Sequence, residues 1–151
     1  MKDLSVGEYR ALAEFRFQIR RFLGFSEEQV RSAGMEPQQH QLLLAVKGLP
    51  NGEKATIGEL AERLQLRHHS TVELVNRLEK LGYVSRAAGE KDRRQVMVHL
   101  TPSGASILRK LSIAHHEELE VAGPQLARAL RSIARQHGAN KQQGAKKRSV
   151  A

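Results

Sequence analysis

Between Thr56 and Leu100 the hydrophobic period of the chain changes once, and that change constrains the fold more than any other feature. Thr56-Ile57-Gly58-Glu59 has the spacing of a capping box, which starts a short helix over about Ile57 to Leu64. Leu60, Ala61 and Leu64 give that helix one apolar face. Leu66-Arg67 leaves room only for a tight connection. A second helix follows, roughly His68 to Leu81, with Leu74, Val75, Leu78 and Leu81 at steps of three and four. Gly82 suits its C-terminal stop. The period then falls to two. Tyr83–Arg86 and Val96–Leu100 read as strands, with Val96, Val98 and Leu100 on one face, and the polar stretch Ala88–Arg94 joins them as a hairpin loop.

Helices flank this centre. Ser5 and Glu8 have capping-box spacing and Leu4 and Tyr9 staple spacing, so a helix starts near Val6. Its apolar positions are Tyr9, Leu12, Phe15, Ile19, Phe22 and Leu23, and Gly34 ends the region. Pro37 opens the next helix, which carries the apolar run Leu42–Val46 and stops near Gly48. On the far side, Thr101-Pro102 caps and starts a helix carrying Ile107, Leu108, Leu111 and Leu119. Gly123-Pro124 is expected to interrupt it, leaving a last helix to about His137 with Leu126, Leu130 and Ile133. Residues 138–151 have four basic residues and no acid, and are expected to form a disordered basic tail.

Composition narrows the chemistry. Lys and Arg number 25 against 16 Asp and Glu, a net charge of +9, which points to a polyanionic partner. Only 4% of residues are aromatic and none is Trp, which argues against a single-strand binder that stacks bases. Cysteine is absent, which excludes a disulfide framework, a Cys-ligated zinc, an iron–sulfur cluster and a thiol nucleophile or redox sensor. The longest apolar run is five residues, Leu42–Val46, far short of the ~20 that cross a bilayer. Met1-Lys2-Asp3 leads into charged sequence rather than an apolar signal region, so the expected location is the cytoplasm.

A short helix, a tight turn, a second helix and a charged hairpin together make a helix-turn-helix with a wing. The second helix is narrow enough to enter the major groove of B-DNA and present side chains to base edges. The hairpin beside it can reach a phosphate or the minor groove. From Arg63 to Arg94 there are eight basic and four acidic residues. The pair Arg93-Arg94 at the hairpin suits a narrow, electronegative minor groove.

Thr56–Val84, with Asp92-Arg93-Arg94 and then Leu100-Thr101-Pro102-Ser103-Gly104, resembles the DNA-binding core of the MarR family, and the order of elements is similar over about residues 8–137. The resemblance implies a mainly α fold with a small β-hairpin wing. It implies one domain over 1–137, its winged helix-turn-helix core at about 37–101 and its dimerisation helices at about 6–33 and 102–137. The partners implied are double-stranded DNA with a pseudo-palindromic operator, and a second copy of the chain. Family members are usually homodimeric regulators, many of them repressors released by small aromatic or anionic compounds.

Site residues follow by position. His68, His69 and Ser70 match positions that face bases, and His and Ser can donate or accept there. Arg67 and Arg77 suit phosphates. In the wing, Arg94 matches the minor-groove arginine, Asp92 the acid that braces the wing arginines, and Lys91 adds a backbone contact. Glu73 departs from the family pattern. It can accept from a cytosine amino group or pair with Arg77 one turn on, and the pairing is the expectation. An effector pocket, also implied by the family, would be lined by Phe15, Arg16, Phe17, His40 and Leu43; the same residues could equally be core and surface.

Other chemistry has little footing. His68-His69 with Glu73, and His115-His116-Glu117-Glu118, resemble metal ligands only in residue type. Adjacent helical side chains point about 100° apart and no third ligand is placed by spacing, so neither a metal nor a cofactor is expected. There is no Gly-rich phosphate loop, nucleophile elbow or His-Glu-x-x-His, so no enzyme is expected. The alternative to a sequence-reading regulator is a basic helical protein that coats nucleic acid without reading it.

Overall fold

The computed structural model describes residues 3–148, with side chains through residue 135. Seven elements follow one another: α1 (Val6–Ser32), α2 (Pro37–Lys47), α3 (Ile57–Leu64), α4 (His68–Lys80), β1 (Val84–Ala88), β2 (Val96–Leu100) and α5 (Pro102–Arg148). They fall into two compact units. One comprises residues 27–114 and the other residues 1–26 with 115–151. No helix among the described residues is long and apolar enough to cross a membrane.

The unit of residues 27–114 contains the expected helix-turn-helix and wing. Thr56 caps α3 by accepting from the Glu59 N–H at 3.2 Å. The α3–α4 turn needs a left-handed residue, and Gln65 fills it at φ 54°. Its own side chain steadies that conformation by donating to the Glu62 carbonyl at 2.8 Å. Helix α4 ends at Gly82, whose φ of +77° is accessible without penalty to glycine. β1 and β2 pair antiparallel with Val84 opposite Leu100 and Ala88 opposite Val96. The chain just before α3 joins them, since the Val98 N–H donates to the Ala55 carbonyl at 2.9 Å. That extra bridge lies in a stretch whose composition reads as turn.

The core of this unit gathers one face from each element: Val30, Leu42, Leu43, Leu60, Val75, Leu78 and Val98 are all at most 1% exposed. Burying each such aliphatic side chain contributes about 1.5–3 kcal/mol, so the stripes that predict the helices also hold them together. Where α5 enters, Gly104 lies against the Tyr83 carbonyl so closely that no Cβ fits. Thr101 secures the same corner. Its hydroxyl donates to the Gly82 carbonyl at 2.6 Å and accepts from the Gly104 N–H at 3.0 Å.

The second unit pairs the first part of α1 with the C-terminal part of α5. The expected capping box forms, with the Ser5 N–H donating to Glu8 at 2.7 Å and the Glu8 N–H to Ser5 Oγ at 3.3 Å. The apolar stripe of α1 divides. Phe15, Ile19 and Phe22 are half-buried, and Phe22 and Phe25 turn their rings edge-on to His115. Tyr9, Leu12 and Leu23 stay exposed.

Two expectations about helix ends are corrected. Gly123-Pro124 does not divide α5, which runs through Pro124 as one helix. Proline costs one backbone hydrogen bond and crowds the carbonyl four residues back, and long helices accommodate this where the turns on both sides are supported. α5 also covers residues 138–148, the larger part of the expected tail. The side chains there, and residues 149–151, lie outside the described residues.

Candidate nucleic-acid interface

Helix α4 is amphipathic in the simplest sense. Thr71, Leu74, Val75 and Leu78 are buried, and they fall on one side of a 3.6-residue turn. The opposite side presents His69, Glu73, Asn76 and Lys80, spaced four, three and four residues apart. His69, Glu73 and Lys80 are exposed and Asn76 is half-buried. Arg67, His68 and Arg77 are exposed as well, and Ser70 is half-buried. Arg67 occupies the N-cap without a side-chain cap, which leaves donors of the first turn open at the positive end of the helix dipole.

The wing supplies the second part. Gly89 N–H donates to the Gln95 carbonyl at 2.9 Å and closes the loop. Asp92 organises its tip, where one carboxylate oxygen accepts from the Arg94 N–H at 3.0 Å and lies 3.9 Å from Arg94 Nε. Lys91 and Arg93 are exposed, and the Arg94 side chain is 97% exposed.

A cleft of about 370 Å³ joins the two parts. His68 and Val72 of α4, Ile57 of α3, and Arg86, Arg94 and Val96 of the wing all line it. His68 and Arg94, predicted as separate contacts, therefore share one surface.

Charge is distributed less evenly than the residue count implies. Arg63 is engaged twice, with Glu53 at 2.7 Å and Glu59 at 2.9 Å. The hydrogen bond from Arg63 holds the Glu59 carboxyl below the usual carboxylate range, and the same pair raises the Arg63 guanidinium above its ordinary value. Arg86 donates to Glu79 at 2.7 Å. By contrast, Arg67, Arg77, Lys80, Lys91 and Arg93 have no ion pair among the described residues. Within the winged unit the free positive charge thus lies along α4 and at the wing tip. The expected Glu73–Arg77 pair is absent from the same set, so Glu73 remains an exposed acceptor on the outward face of α4.

Asn76, Lys80 and Arg86 belong to this surface but were not among the predicted contacts. Asn76 and Lys80 continue the helical spacing that begins at His69, so their placement was open to inspection. Arg86 depended on a cross-element partner that no local pattern carries.

The five residues expected to line an effector pocket divide between the units. Phe15, Arg16 and Phe17 belong to the unit of residues 1–26 and 115–151, and His40 and Leu43 to that of residues 27–114. Leu43 is fully enclosed in the core and His40 is 4% exposed. Phe17 is 53% exposed, with the Arg21 guanidinium 5.8 Å from its ring centroid. Among the described residues no group of three or more His, Asp or Glu is placed to hold a metal ion.

Comparison with known proteins places this architecture. A sequence profile of the MarR family matches residues 33–95, the span from the end of α1 to the wing. YfiV of Bacillus subtilis, an HTH-type transcriptional regulator, is 36% identical over 84 residues, covering 56% of this chain and 50% of the relative. The chain spans about half the length of the curated relatives it matches. The fold is similar to that of AbsC, a MarR family transcriptional regulator from Streptomyces coelicolor, with a TM-score of 0.70 at 20% identity, over 92% of this chain and 99% of that one. It is also similar to a MepR point mutant from S. aureus bound to an oligodeoxyribonucleotide, with a TM-score of 0.61 at 18% identity, over 96% of this chain and 99% of that one. Its helix-turn-helix and wing coincide with the span that the MarR family profile matches.

Proposed function

We propose that the protein is a homodimeric transcription regulator that binds double-stranded DNA at specific sequences and acts as a cytoplasmic repressor. The observation that carries the reading is the outward face of α4, where His69, Glu73, Asn76 and Lys80 line up beside a wing bearing exposed Arg93 and Arg94. Glu can accept from a cytosine amino group, and His can donate or accept at a base edge. Arg67, Arg77 and Lys91 fix register on phosphates, and Arg94 enters the minor groove. No bond-making chemistry is assigned to any residue.

Dimerisation draws support from the unit formed by the chain termini. It exposes Val6, Tyr9, Leu12, Leu23, Val121 and Leu130, a quantity of apolar surface unusual for a solitary small unit. Two copies related by a twofold would present two recognition helices about 10 base pairs apart, so the operator is an imperfect palindrome. Relief by a small aromatic or anionic effector belongs to the same reading. Phe15, Arg16 and Phe17 are the reachable part of its lining, while Leu43 serves packing.

Selection of bound duplexes from a random pool tests the proposal. Recovery of two related half-sites at that spacing supports it. A specificity ratio near one between the best site and random duplex replaces it with sequence-blind coating.

A further inference from the structure

The chain's positive charge is not centred on the winged segment. Residues 121–151 contain seven Lys and Arg and no Asp or Glu, so this stretch carries +7 of the net +9. Within its described part, Arg128, Arg131 and Arg135 stand at steps of three and four on α5, and all three are exposed. Together with Ser132 they line a single shallow groove. None of the three has an ion pair among the described residues. Elsewhere in the chain Arg31, Arg63, Arg86 and Arg94 each have an acidic partner within 4 Å. The packed side of the helix, marked by buried Ala129 and half-buried Leu126 and Ile133, points elsewhere. Three like charges held on one helical face repel one another, and such an arrangement is stabilised by a multivalent anion.

We propose that Arg128, Arg131 and Arg135 form a second, sequence-blind surface for the phosphate backbone of duplex DNA, acting separately from the wing. At a rise of about 1.5 Å per residue the row spans about 10 Å. Phosphates advance about 3.4 Å along the axis per strand, so three guanidinium groups reach three successive positions. Arg forks bind phosphate oxygens through two donors; the row itself contains no acid, and Glu14 of α1 shares a neighbouring groove with Arg128 and Ser132 without an ion pair. A membrane surface fits less well. A helix lying on lipid needs apolar bulk flanking its cations, whereas between Arg128 and Arg135 only Leu130 is a large exposed apolar residue, Ile133 being half-buried.

The test starts from full-length protein whose wing is neutralised by Lys91→Gln, Arg93→Gln and Arg94→Gln, so that the outcome does not depend on site-specific recognition. This protein retains binding to random duplex at about 50 mM salt, with a salt slope to which Arg67 and Arg77 still contribute. Adding Arg128→Gln, Arg131→Gln and Arg135→Gln reduces that binding at least 10-fold and lowers the slope by about 2–3 per decade of salt. The corresponding Lys variants keep the charge and recover most of the slope. Loss of duplex binding on neutralising the wing alone overturns the proposal, as does an unchanged slope after the α5 substitutions. Equal loss in the Gln and Lys variants, or capture by anionic phospholipid vesicles in place of duplex, also overturns it. Failure of operator selection with this result intact would sink the regulator reading alone.

Discussion

Arg86 on β1 donates through Nε to the Glu79 carboxylate on α4 at 2.7 Å, which ties the first strand of the wing to the last turn of α4. Both side chains are about two-fifths exposed, so water screens the pair. A double-mutant cycle with Glu79→Ala and Arg86→Ala gives a coupling of about 0.2–1 kcal/mol at low salt, shrinking in high salt. A coupling near zero at low salt would show that the two elements hold their places through the core alone.

On the proposed function, Arg94 contributes to binding and not to folding. Its side chain is almost wholly exposed, and Asp92 is its one ion-pair partner among the described residues. Arg94→Ala weakens duplex binding by about 10-fold or more, across most sequences, and leaves the melting temperature within about 1 °C. Asp92→Ala removes the carboxylate that accepts from the Arg94 N–H and produces a smaller loss of the same kind. Titration of both variants on one duplex, alongside thermal melts, checks this.

His69 differs from Arg94 in what it changes. It stands on the outward face of α4, away from Leu74 and Leu78. His69→Ala alters which base is preferred at one position of each half-site, by about 1–3 kcal/mol of discrimination, with little change in binding to random duplex. Repeating the pool selection with the variant reads this directly, and an unaltered consensus would remove His69 from the reading set.

The corner between α4 and α5 is the point at which the smallest substitution does most harm. Gly104→Ala places a methyl group against the Tyr83 carbonyl. The backbone must move, at a cost of roughly 1–3 kcal/mol or more. Thr101→Val keeps the shape but deprives the Gly82 carbonyl and the Gly104 N–H of their partner, costing about 1–2 kcal/mol. Denaturant unfolding of each variant measures both.

Glu59 provides a pH signature. Hydrogen bonding from Arg63 lowers its carboxyl in the folded protein relative to the unfolded chain. A depressed folded value means the stabilisation is present above the unfolded carboxylate range and is lost as pH falls through the folded value. Glu59→Gln therefore narrows the stability difference between neutral pH and the acid side of the carboxylate range. A parallel acid-unfolding profile of wild type and variant would contradict it.

The winged core was legible because its signals are local. The boundaries of α3 match the expected Ile57–Leu64, and α4 starts at the expected His68, since a cap and an apolar stripe operate within a few residues. The wing strands followed from period-two alternation, and Gly82 from the need for positive φ. Glu73 and Arg77 show the limit of such reasoning: spacing of four permits a pair but does not require one when both side chains are solvated. Pro124 shows another. A local breaker loses to a long helix supported on both sides of it.

What the amino-acid order determined by itself was periodicity: which residues face inward along each helix and strand, and where each element starts. What only the tertiary structure decided was which charges are spent and which are available. Arg63 and Arg86 are engaged by acids brought from other segments, Glu53 and Glu79, whereas Arg93, Arg128 and Arg131 have no such partner among the described residues. The reason is physical. Hydrophobic patterning is written into neighbouring residues along one helix or strand, but an ion pair between elements depends on distances that exist only after the core has closed.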